Sequence, residues 1–327
     1  MKKLIVLATL AALPAVAMAD VTISGDLAVG IVNSKAEGKG SLTTENRTNG
    51  NIRFAGSDDL GNGLKAIWQI ENRINLADTS GANSRDNVWA GRESFVGLTG
   101  GFGTLKMGTI YLMPTSGQMD FFENNSAACG GDGLWCSSIY DQGSRYNNMV
   151  SYQTPSFGGF TATVQHSFGN GTAKGETNTN EQNKMYSQAV SLAYQGQGFA
   201  VSYDGSRAKE DTQGNYLTLQ EVNANATFGD LNLIAGYAHG KDEAAKASRN
   251  GWGLTAAYTI GNFVPMLGYW HEGAATGNND SVNSYAAGVK YNLSKRTRAG
   301  VEYSRQSYHQ SGMTETHATT VYLGTSF

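Results

Sequence analysis

Alternation of apolar and polar residues with a period of two recurs along the whole chain. Successive side chains of a β-strand point to opposite faces, so this period predicts strands, and the 3.6-residue period of helices is scarce. Residues 21–31, 160–168 and 285–291 show the alternation most clearly. Their apolar faces often carry Tyr or Phe near one end, and their polar faces are rich in Thr, Ser, Gln, Asn and Gly. Residues 20–327 contain no apolar run long enough to predict a transmembrane helix.

Short turns rich in Gly, Asn and Asp divide the chain at regular places. Their positions are residues 58–63, 99–104, 154–159, 195–198, 228–230, 260–262 and 292–296. One longer polar stretch, such as 33–50 or 239–250, lies between two successive turns, so the repeating unit is turn, strand, long loop and strand. Seven turns give eight units of two strands each, which predicts about sixteen strands. The 42 glycines, about 13 per cent against a usual level of about 7, fit many tight turns.

The distribution of side chains predicts that these strands lie in a membrane. A soluble sandwich packs bulky aliphatic side chains inward, whereas aromatic side chains at strand ends are what a membrane interface selects. An even number of strands, with short turns on one side and long loops on the other, is typical of an outer-membrane barrel. We therefore predict an all-β fold, a sixteen-stranded antiparallel transmembrane β-barrel that forms a single domain over residues 20–327.

The first 19 residues are predicted to be a cleaved signal peptide. Lys2 and Lys3 precede an apolar run, and Ala17-Met18-Ala19 has the form of a signal-peptidase site. A membrane anchor is the alternative, but the run is short for a helix that crosses a bilayer. Without this segment 22 basic residues face 27 acidic ones, so the formal net charge falls from −3 to −5. A mildly acidic exported protein is a poor nucleic-acid binder, and we expect no nucleic-acid partner.

The chain ends inside an alternating segment, on Phe327. Leu323 and Val321 share its face. In a closed sheet the last strand pairs with the first, so we expect the Phe327 ring on the lipid-facing side at the membrane interface; a soluble strand that ends in Phe is the alternative. Further upstream, Pro265 lacks the N–H that a ladder requires, so we expect a β-bulge there.

Cys129 and Cys136 are the only cysteines of the sequence. Two close cysteines in an exported chain are expected to form a disulfide, which would close a short loop and stiffen it locally. Two free thiols are the alternative.

Several segments, in the right order, resemble a known family. "SDDLGNGLKAIWQIE" (57–71), "ESFVGLTGGFGTLKMG" (93–108) and "YQTPSFGGFTATVQ" (152–165) are similar to the general porins of Gram-negative outer membranes. The trimeric porins of beta-proteobacteria, including the neisserial type, are the nearest group. "DVTISGDLAVGI" at residues 20–31 and the terminal Phe327, an expected C-terminal assembly signal, also fit. The resemblance covers essentially residues 20–327 and implies a homotrimer in which each barrel has its own water-filled pore.

The resemblance also implies a constriction. Residues 110–144 are the longest interruption between strands, and in porins the corresponding third loop folds into the lumen. We therefore expect an inward-folded third loop, stiffened by the pair Cys129–Cys136. The acidic side of the constriction is expected to come from Asp120, Glu123 and Asp132, with Asp141 as a further acid in this loop; Asp132 resembles the acid near the loop tip in other porins.

The facing wall is expected to be basic. Arg53 lies on the strand face opposite Ile52 and Phe54 and should point into the lumen, and Lys65 and Arg73 share one face of the next strand. Arginine suits such a wall because it stays charged.

Two further wall arginines, Arg92 and Arg145, are placed by the resemblance, since both match positions where porins carry one. Asn51 departs from the pattern, because related porins often have an arginine at its position.

The expected function is passive diffusion in the outer membrane of a Gram-negative bacterium. Ions and small hydrophilic solutes would pass a narrowed aqueous pore, with a preference for anions if the arginine wall dominates. Lipopolysaccharide and other outer-membrane lipids are the expected surroundings, and neither a cofactor nor a metal is expected. An enzyme is not expected, because no histidine lies in a metal-binding motif and no GxSxG occurs. A substrate-specific porin and a surface adhesin or receptor on a barrel remain as alternatives.

Overall fold

The computed structural model of the protein describes residues 20–36, 43–74, 76, 89–112, 121–123, 145–168, 186–209, 215–277, 281–309 and 315–327. These residues form sixteen strands: β1 (Asp20–Ala36), β2 (Thr43–Gly61), β3 (Leu64–Arg73), β4 (Ser94–Gly100), β5 (Gly103–Tyr111), β6 (Arg145–Gln153), β7 (Phe160–Ser167), β8 (Ser187–Gln195), β9 (Phe199–Lys209), β10 (Tyr216–Phe228), β11 (Leu231–Asp242), β12 (Ala247–Tyr258), β13 (Phe263–Glu272), β14 (Val282–Asn292), β15 (Thr297–Tyr308) and β16 (Thr316–Ser326). Within these ranges no helix has the length and apolar character of a membrane span.

Every strand pairs antiparallel with its neighbours in the chain, and β1 also pairs with β16, which closes the sheet into a barrel. The β1–β16 ladder runs without a shift from Asp26↔Ser326 to Ala36↔Thr316. All seven predicted short turns lie between consecutive strands, and each therefore joins a hairpin. The predicted sixteen-stranded antiparallel barrel is confirmed.

The barrel closes at Gly25 and Phe327. The Gly25 N–H donates to the Phe327 carbonyl and the Phe327 N–H donates to the Gly25 carbonyl, both at 3.0 Å. The Phe327 ring lies against Gly25, where an added Cβ would come within 2.6 Å of the ring carbon Cζ. The ring thus covers an outward position that lacks a side chain, on the same outward face as Val321 and Leu323, as expected from the alternation.

The outer face of the sheet is mainly apolar and the inner face mainly polar, as the sequence predicts. Large apolar side chains are exposed on the outer face, for example Ile31, Val96 and Leu267. Polar side chains such as Ser191 and Gln306 alternate with them and are buried on the inner face. An exposed apolar band around a closed sheet is the surface that faces lipid in a membrane barrel.

Several strands are longer than the sequence predicts on the long-loop side. Residues 239–250 were expected to be a loop, but only 243–246 lie outside β11 and β12. Likewise β2 has 19 residues, although about 9–11 suffice to cross a membrane. The extra length projects into water, where neither strand face needs apolar residues, so the alternation that marks a strand disappears.

The expected bulge at Pro265 is wrong. Pro265 pairs with Val289 in a β13–β14 ladder that keeps its register from Phe263 to Glu272. The ladder on the other side, between β13 and β12, reaches only Met266. Pro265 therefore lies just beyond the last paired residue on that side, where a missing N–H costs no ladder bond.

Some predictions lie outside the described residues. These concern the signal peptide (1–19), Cys129 and Cys136, and the loop acids Asp120, Asp132 and Asp141.

Candidate functional site

Three of the predicted arginines meet on the inner wall of β2 to β6. Arg53 comes from β2, Arg92 precedes β4, and Arg145 begins β6. A glutamate that the sequence analysis did not select, Glu71 of β3, binds two of them: its carboxylate lies 2.7 Å from the Arg92 Nε and 3.4 Å from one Arg53 nitrogen. Glu71 is only 1% exposed, whereas the Arg53 side chain is 42% exposed, so the arginine faces the lumen.

Tyr111 joins the third arginine to this group. The guanidinium of Arg145 stacks over the Tyr111 ring, 4.4 Å from its centroid, and also donates to its hydroxyl. Arg92 donates to the same hydroxyl at 3.3 Å. A planar guanidinium can stack flat on the ring and donate from several N–H groups at once, which suits arginine better than lysine at these sites.

Asn51 connects the arginine wall with the adjacent strand. Its amide Nδ2 donates to Glu71 at 2.8 Å, and its Oδ1 accepts from the backbone N–H of Asp26 at 3.2 Å. An arginine at this position would add a positive charge, whereas the amide links two acidic residues without one. The departure noted in the sequence therefore has a structural role in this wall.

The two remaining predicted wall residues lie at different distances from the arginines. Arg73 faces Asn51 across the β2–β3 ladder and is two residues from Glu71 on the same strand face. Lys65 is on that face too but is exposed beside a short turn, six residues from Glu71. At about 3.3 Å per residue, that separation is roughly 20 Å. Arg73 thus adjoins the cluster and Lys65 does not.

Glu123, the described member of the predicted acidic loop, binds a different part of the inner wall. Both of its carboxylate oxygens accept hydrogen bonds from Arg298 of β15, at 2.7 and 2.9 Å. The same guanidinium also binds both oxygens of Asp26, at 2.7 and 2.9 Å. The Glu123 backbone N–H donates to Glu302 at 2.7 Å. One arginine thus holds carboxylates of β1 and of the segment that follows β5.

Phe122 packs next to this ion pair on an apolar part of the inner wall. Its ring meets the Trp270 ring at 68°, with centroids 6.0 Å apart, and both side chains are buried together with Val264 and Met266. Trp270 faces inward, so this wall departs from the expected polar lining.

Two glycines make room for Trp270. A Cβ at Gly253 would lie 2.3 Å from the indole Cδ1, and a Cβ at Gly268 would lie 2.4 Å from Cη2. The indole therefore lies flat against two neighbouring strands. Such a surface accepts an aromatic ring from another segment of the chain.

The described residues contain no group of three or more His, Cys, Asp or Glu side chains that could hold a metal ion. What the inner wall offers is fixed charge: an arginine group with a partly compensating glutamate, and a second wall that binds residues 121–123. Neither arrangement presents an activated nucleophile with a positioned base. Both can act on solutes through charge and size.

Comparison with known proteins identifies relatives over nearly the whole chain. A profile described as Gram-negative porin matches residues 6–311. The chain is 33% identical to the major outer membrane protein P.IB of Neisseria lactamica over 100% of both chains, and 30% identical to that of Neisseria meningitidis serogroup B over 91% of both.

Solved structures share the fold at lower identity. An anion-selective porin from Comamonas acidovorans has a TM-score of 0.74 and 22% identity, with 94% of this chain and 100% of that chain covered. Salmonella typhi OmpF, solved with daunomycin, has a TM-score of 0.72 and 18% identity over 94% and 97%.

Proposed function

Since the chain belongs to the Gram-negative porin family, we propose that its pore is narrowed by the segment between β5 and β6 and favours anions. The protein is a passive channel of the outer membrane and not an enzyme. Ions and small hydrophilic solutes cross through the barrel without a chemical step. The proposal concerns where the pore is narrowest and which charge it prefers.

Two contacts support a constriction formed by the segment between β5 and β6. Phe122 packs on the inner wall at Trp270, and Glu123 binds Arg298 on the same side of the barrel. Both partners face the lumen, as the alternation along β13 and β15 requires. A chain that leaves β5 and touches β13 and β15 passes from one side of the lumen to the other. The passage that remains is then bordered by this segment and by the arginine wall.

The grouping of Arg53, Arg92 and Arg145 is the observation that carries the anion preference: Glu71 pairs with Arg53 and Arg92, and Arg145 joins them through Tyr111. Three guanidinium groups against one carboxylate leave surplus positive charge on this wall. The opposing loop acid Glu123 is already paired with Arg298, which reduces its effect on a passing ion. A unit charge about 6 Å from an ion in water contributes roughly 0.7 kcal/mol, or about a threefold change in local ion concentration.

The mechanism is selection during diffusion. Fixed charges on opposite sides of a narrow aqueous passage order water, so polar solutes and ions of the favoured sign enter more readily than apolar ones. The loop acids Asp120 and Asp132 would supply the negative side, and the pair Cys129–Cys136 would stiffen the loop as a disulfide. The carboxylate Glu71 holds the guanidinium groups in place, so the wall keeps its geometry while solutes pass.

The functional unit that we propose is a homotrimer surrounded by lipid and lipopolysaccharide. The distribution of aromatic side chains on the outer surface of the barrel supports this proposal. Aromatic and histidine side chains follow the long-loop rim from β7 to β16, whereas the outward positions described on β1 and β3 at this rim include Ile31, Asn33, Lys35 and Asn72, with the exposed Trp89 against Phe54 of β2 as an aromatic residue on this side. A barrel that meets other copies on its β1–β3 side needs fewer aromatic side chains there.

Planar-bilayer recording tests the pore. We expect stepwise ohmic currents in groups of three, and a reversal potential in a salt gradient whose sign shows anion preference. Replacing Arg53, Arg92 and Arg145 by Gln should lower the anion-to-cation permeability ratio by roughly threefold or more for each charge. A silent protein would favour an adhesin, saturable conductance for one solute would favour a substrate-specific porin, and an unchanged reversal potential would refute the proposed role of the arginines.

A further inference from the structure

Two carboxylates lie side by side on the inner wall of the barrel, on strands that neither arginine wall uses. Asp204 of β9 and Glu221 of β10 are paired in the antiparallel ladder, so their Cα atoms are about 5 Å apart. Both side chains face inward, since Val201 and Val222, at positions of the opposite parity, are exposed on the outer face. Asp204 is 0% exposed and Glu221 is 4% exposed. Buried acids at this spacing are stable only with a group that compensates their charge.

Further oxygen atoms surround the two carboxylates. The Ser191 hydroxyl of β8 donates to the Asp204 carboxylate. Ser202 and Asn223 face each other in the β9–β10 ladder, one inward position beyond the acids. All five side chains are buried, and we call them the oxygen patch: Ser191, Ser202, Asp204, Glu221 and Asn223.

Two members of the oxygen patch have polar atoms without a partner. Among the residues that the structure describes, Glu221 Oε2 makes no hydrogen bond, and neither do Asn223 Oδ1 and Nδ2. The Asn223 side chain is 8% exposed and lies next to the Glu221 carboxylate on the same strand face, so the unbonded atoms belong to one place. Buried polar atoms without a partner are unfavourable and rare in native proteins, so their convergence here indicates a ligand.

The wall around the patch provides no positive side chain on β8 to β11. The row that contains the two acids continues to Thr163 of β7 on one side and to Ala238 of β11 on the other. The adjacent inward positions described on β8 to β11 are occupied by Ala, Ser, Leu, Asn or Gly. Arg249 of β12 is two strands beyond Glu221 and binds Glu272 at 3.2 Å. The charged side chain next to Glu221 is instead another acid, Asp204.

We propose that the oxygen patch binds a calcium ion. The charge of the ion matches two carboxylates, and calcium accepts six to eight oxygen ligands in a flexible geometry, so the Ser191 hydroxyl, the Asn223 amide oxygen and water can complete its shell. Magnesium requires a near-ideal octahedron and gives up its water reluctantly. Transition metals favour imidazole and thiolate ligands, which the patch lacks.

The ion would bridge three strands, because its ligands come from β8, β9 and β10. It would also cancel negative charge within the bore, at a place away from the arginine wall. Only two acids contribute, so we expect a dissociation constant of about 0.1–1 mM, the range of extracellular calcium modules. The calcium site depends neither on the position of the constriction nor on the ion preference of the pore.

The experiment compares the double variant D204N/E221Q with a matched control, D58N/D59N. The control removes two neighbouring carboxylates that are exposed beside a short turn. Isothermal titration calorimetry measures calcium binding to the chelator-treated, detergent-solubilised protein, and magnesium chloride at equal ionic strength is the comparison ligand. Loss of a supporting residue at a metal site commonly weakens binding 10–100-fold, so the loss of two ligating carboxylates should weaken it roughly 100-fold or more.

Asn223→Ala separates a built site from general attraction between calcium and two acids. It leaves the charge unchanged and removes one oxygen ligand, so calcium should bind roughly tenfold more weakly. The control D58N/D59N should bind calcium as the unchanged protein does.

Each result decides the proposal. It is supported if the unchanged protein and the control bind calcium more tightly than magnesium and the double variant loses one site per chain. It is overturned if the unchanged protein binds no calcium at millimolar concentrations, if magnesium binds as tightly, if the control loses as much, or if either the double variant or Asn223→Ala binds normally. Unit conductance reports whether the double variant forms an intact barrel, and E221Q replaces it if it does not fold. Absent conductance of the unchanged protein would refute the proposed pore without affecting the calcium measurement.

Discussion

The inner wall at β2–β6 and the inner wall at β13–β15 use arginine in opposite ways. On the first, the buried carboxylate of Glu71 binds Arg53 and Arg92, and Arg145 stacks on Tyr111 beside them, so positive charge is left over. On the second, Arg298 binds both Asp26 and Glu123, and a third carboxylate, Glu302, accepts the Glu123 backbone N–H. In the proposed function, surplus charge on the first wall acts on solutes, whereas the compensated charge on the second wall binds residues 121–123.

The two walls also differ in how far their side chains are exposed to water. Trp270 lies against Gly253 and Gly268 and forms with Phe122 a dry contact inside an otherwise aqueous bore. At the arginine wall, Arg53 keeps a 42% exposed side chain. The Trp270 contact excludes water, whereas the exposed Arg53 side chain meets it, and the two lie on separate strands. Four substitutions test this difference between the two walls.

Trp270→Ala should have the largest effect. It removes an indole that is 2% exposed and deprives Phe122 of its partner, so we expect a loss of about 3–5 kcal/mol in the free energy of unfolding. Thermal unfolding in detergent, followed by the gel mobility of heated and unheated protein, measures it. Trp252→Ala is the matched control, since that indole is on the neighbouring strand and faces outward. Equal losses in the two variants would show that the inner wall has no special role.

Arg298→Met should release the loop from its wall. Two carboxylates, those of Asp26 and Glu123, would lose their shared cation. Breaking such a pair costs about 3 kcal/mol, so the detached fraction of the loop should rise by roughly 100-fold. We expect noisier single-channel currents and faster proteolysis between residues 112 and 144. Arg298→Lys, which keeps the charge but not the paired donors, should be intermediate. The control is Arg296→Met in the exposed turn nearby, and identical current noise in the two methionine variants would contradict the attachment.

The architecture could be predicted from the sequence because each strand needs only local information. Turns such as 58–63 and 228–230 are recognisable by their Gly, Asn and Asp residues. The alternation between turns arises because one face of each strand meets lipid and the other meets water. The long-loop ends of β2 and β11 could not be placed, because above the membrane both faces meet water. The apolar inner patch at Trp270 was missed for a related reason, since only a docked segment makes an inward indole favourable.

The site was predicted less completely than the fold. Arg53, Arg92 and Arg145 could be selected as a group, but Glu71, which binds Arg53 and Arg92, was not, because an acidic residue two positions from Arg73 looks like an ordinary solvated charge. Arg298 escaped notice for the opposite reason, since its partners are 272 and 175 residues away in the sequence. Such pairs depend on barrel closure and on the path of one loop, and neither leaves a local signal.

Glu71→Gln should increase the surplus positive charge of the arginine wall. The amide keeps an acceptor for Arg92 and removes the negative charge, so the anion preference should rise by about threefold. Reversal potentials in a potassium chloride gradient measure the change. Asp58→Asn makes the same change of charge at an outward position near a short turn and should leave the reversal potential unaltered. A lower anion preference after Glu71→Gln would mean that the carboxylate matters mainly by holding the arginines in place.

Lys65→Gln should have the smallest effect, and it tests how local the selecting wall is. Lys65 and Arg53 are on adjacent strands and both face the lumen, so each substitution to Gln removes one positive charge from the bore. Lys65, however, is roughly 20 Å from Glu71 along the strand, and at physiological salt the Debye length is about 8 Å. The shift in reversal potential should therefore be clearly smaller for Lys65→Gln than for Arg53→Gln, and the difference should shrink as the salt is diluted and screening weakens. Equal shifts at physiological salt would show that selection is spread along the whole bore, in which case the geometry of the three arginines would matter less than the total charge of the lumen.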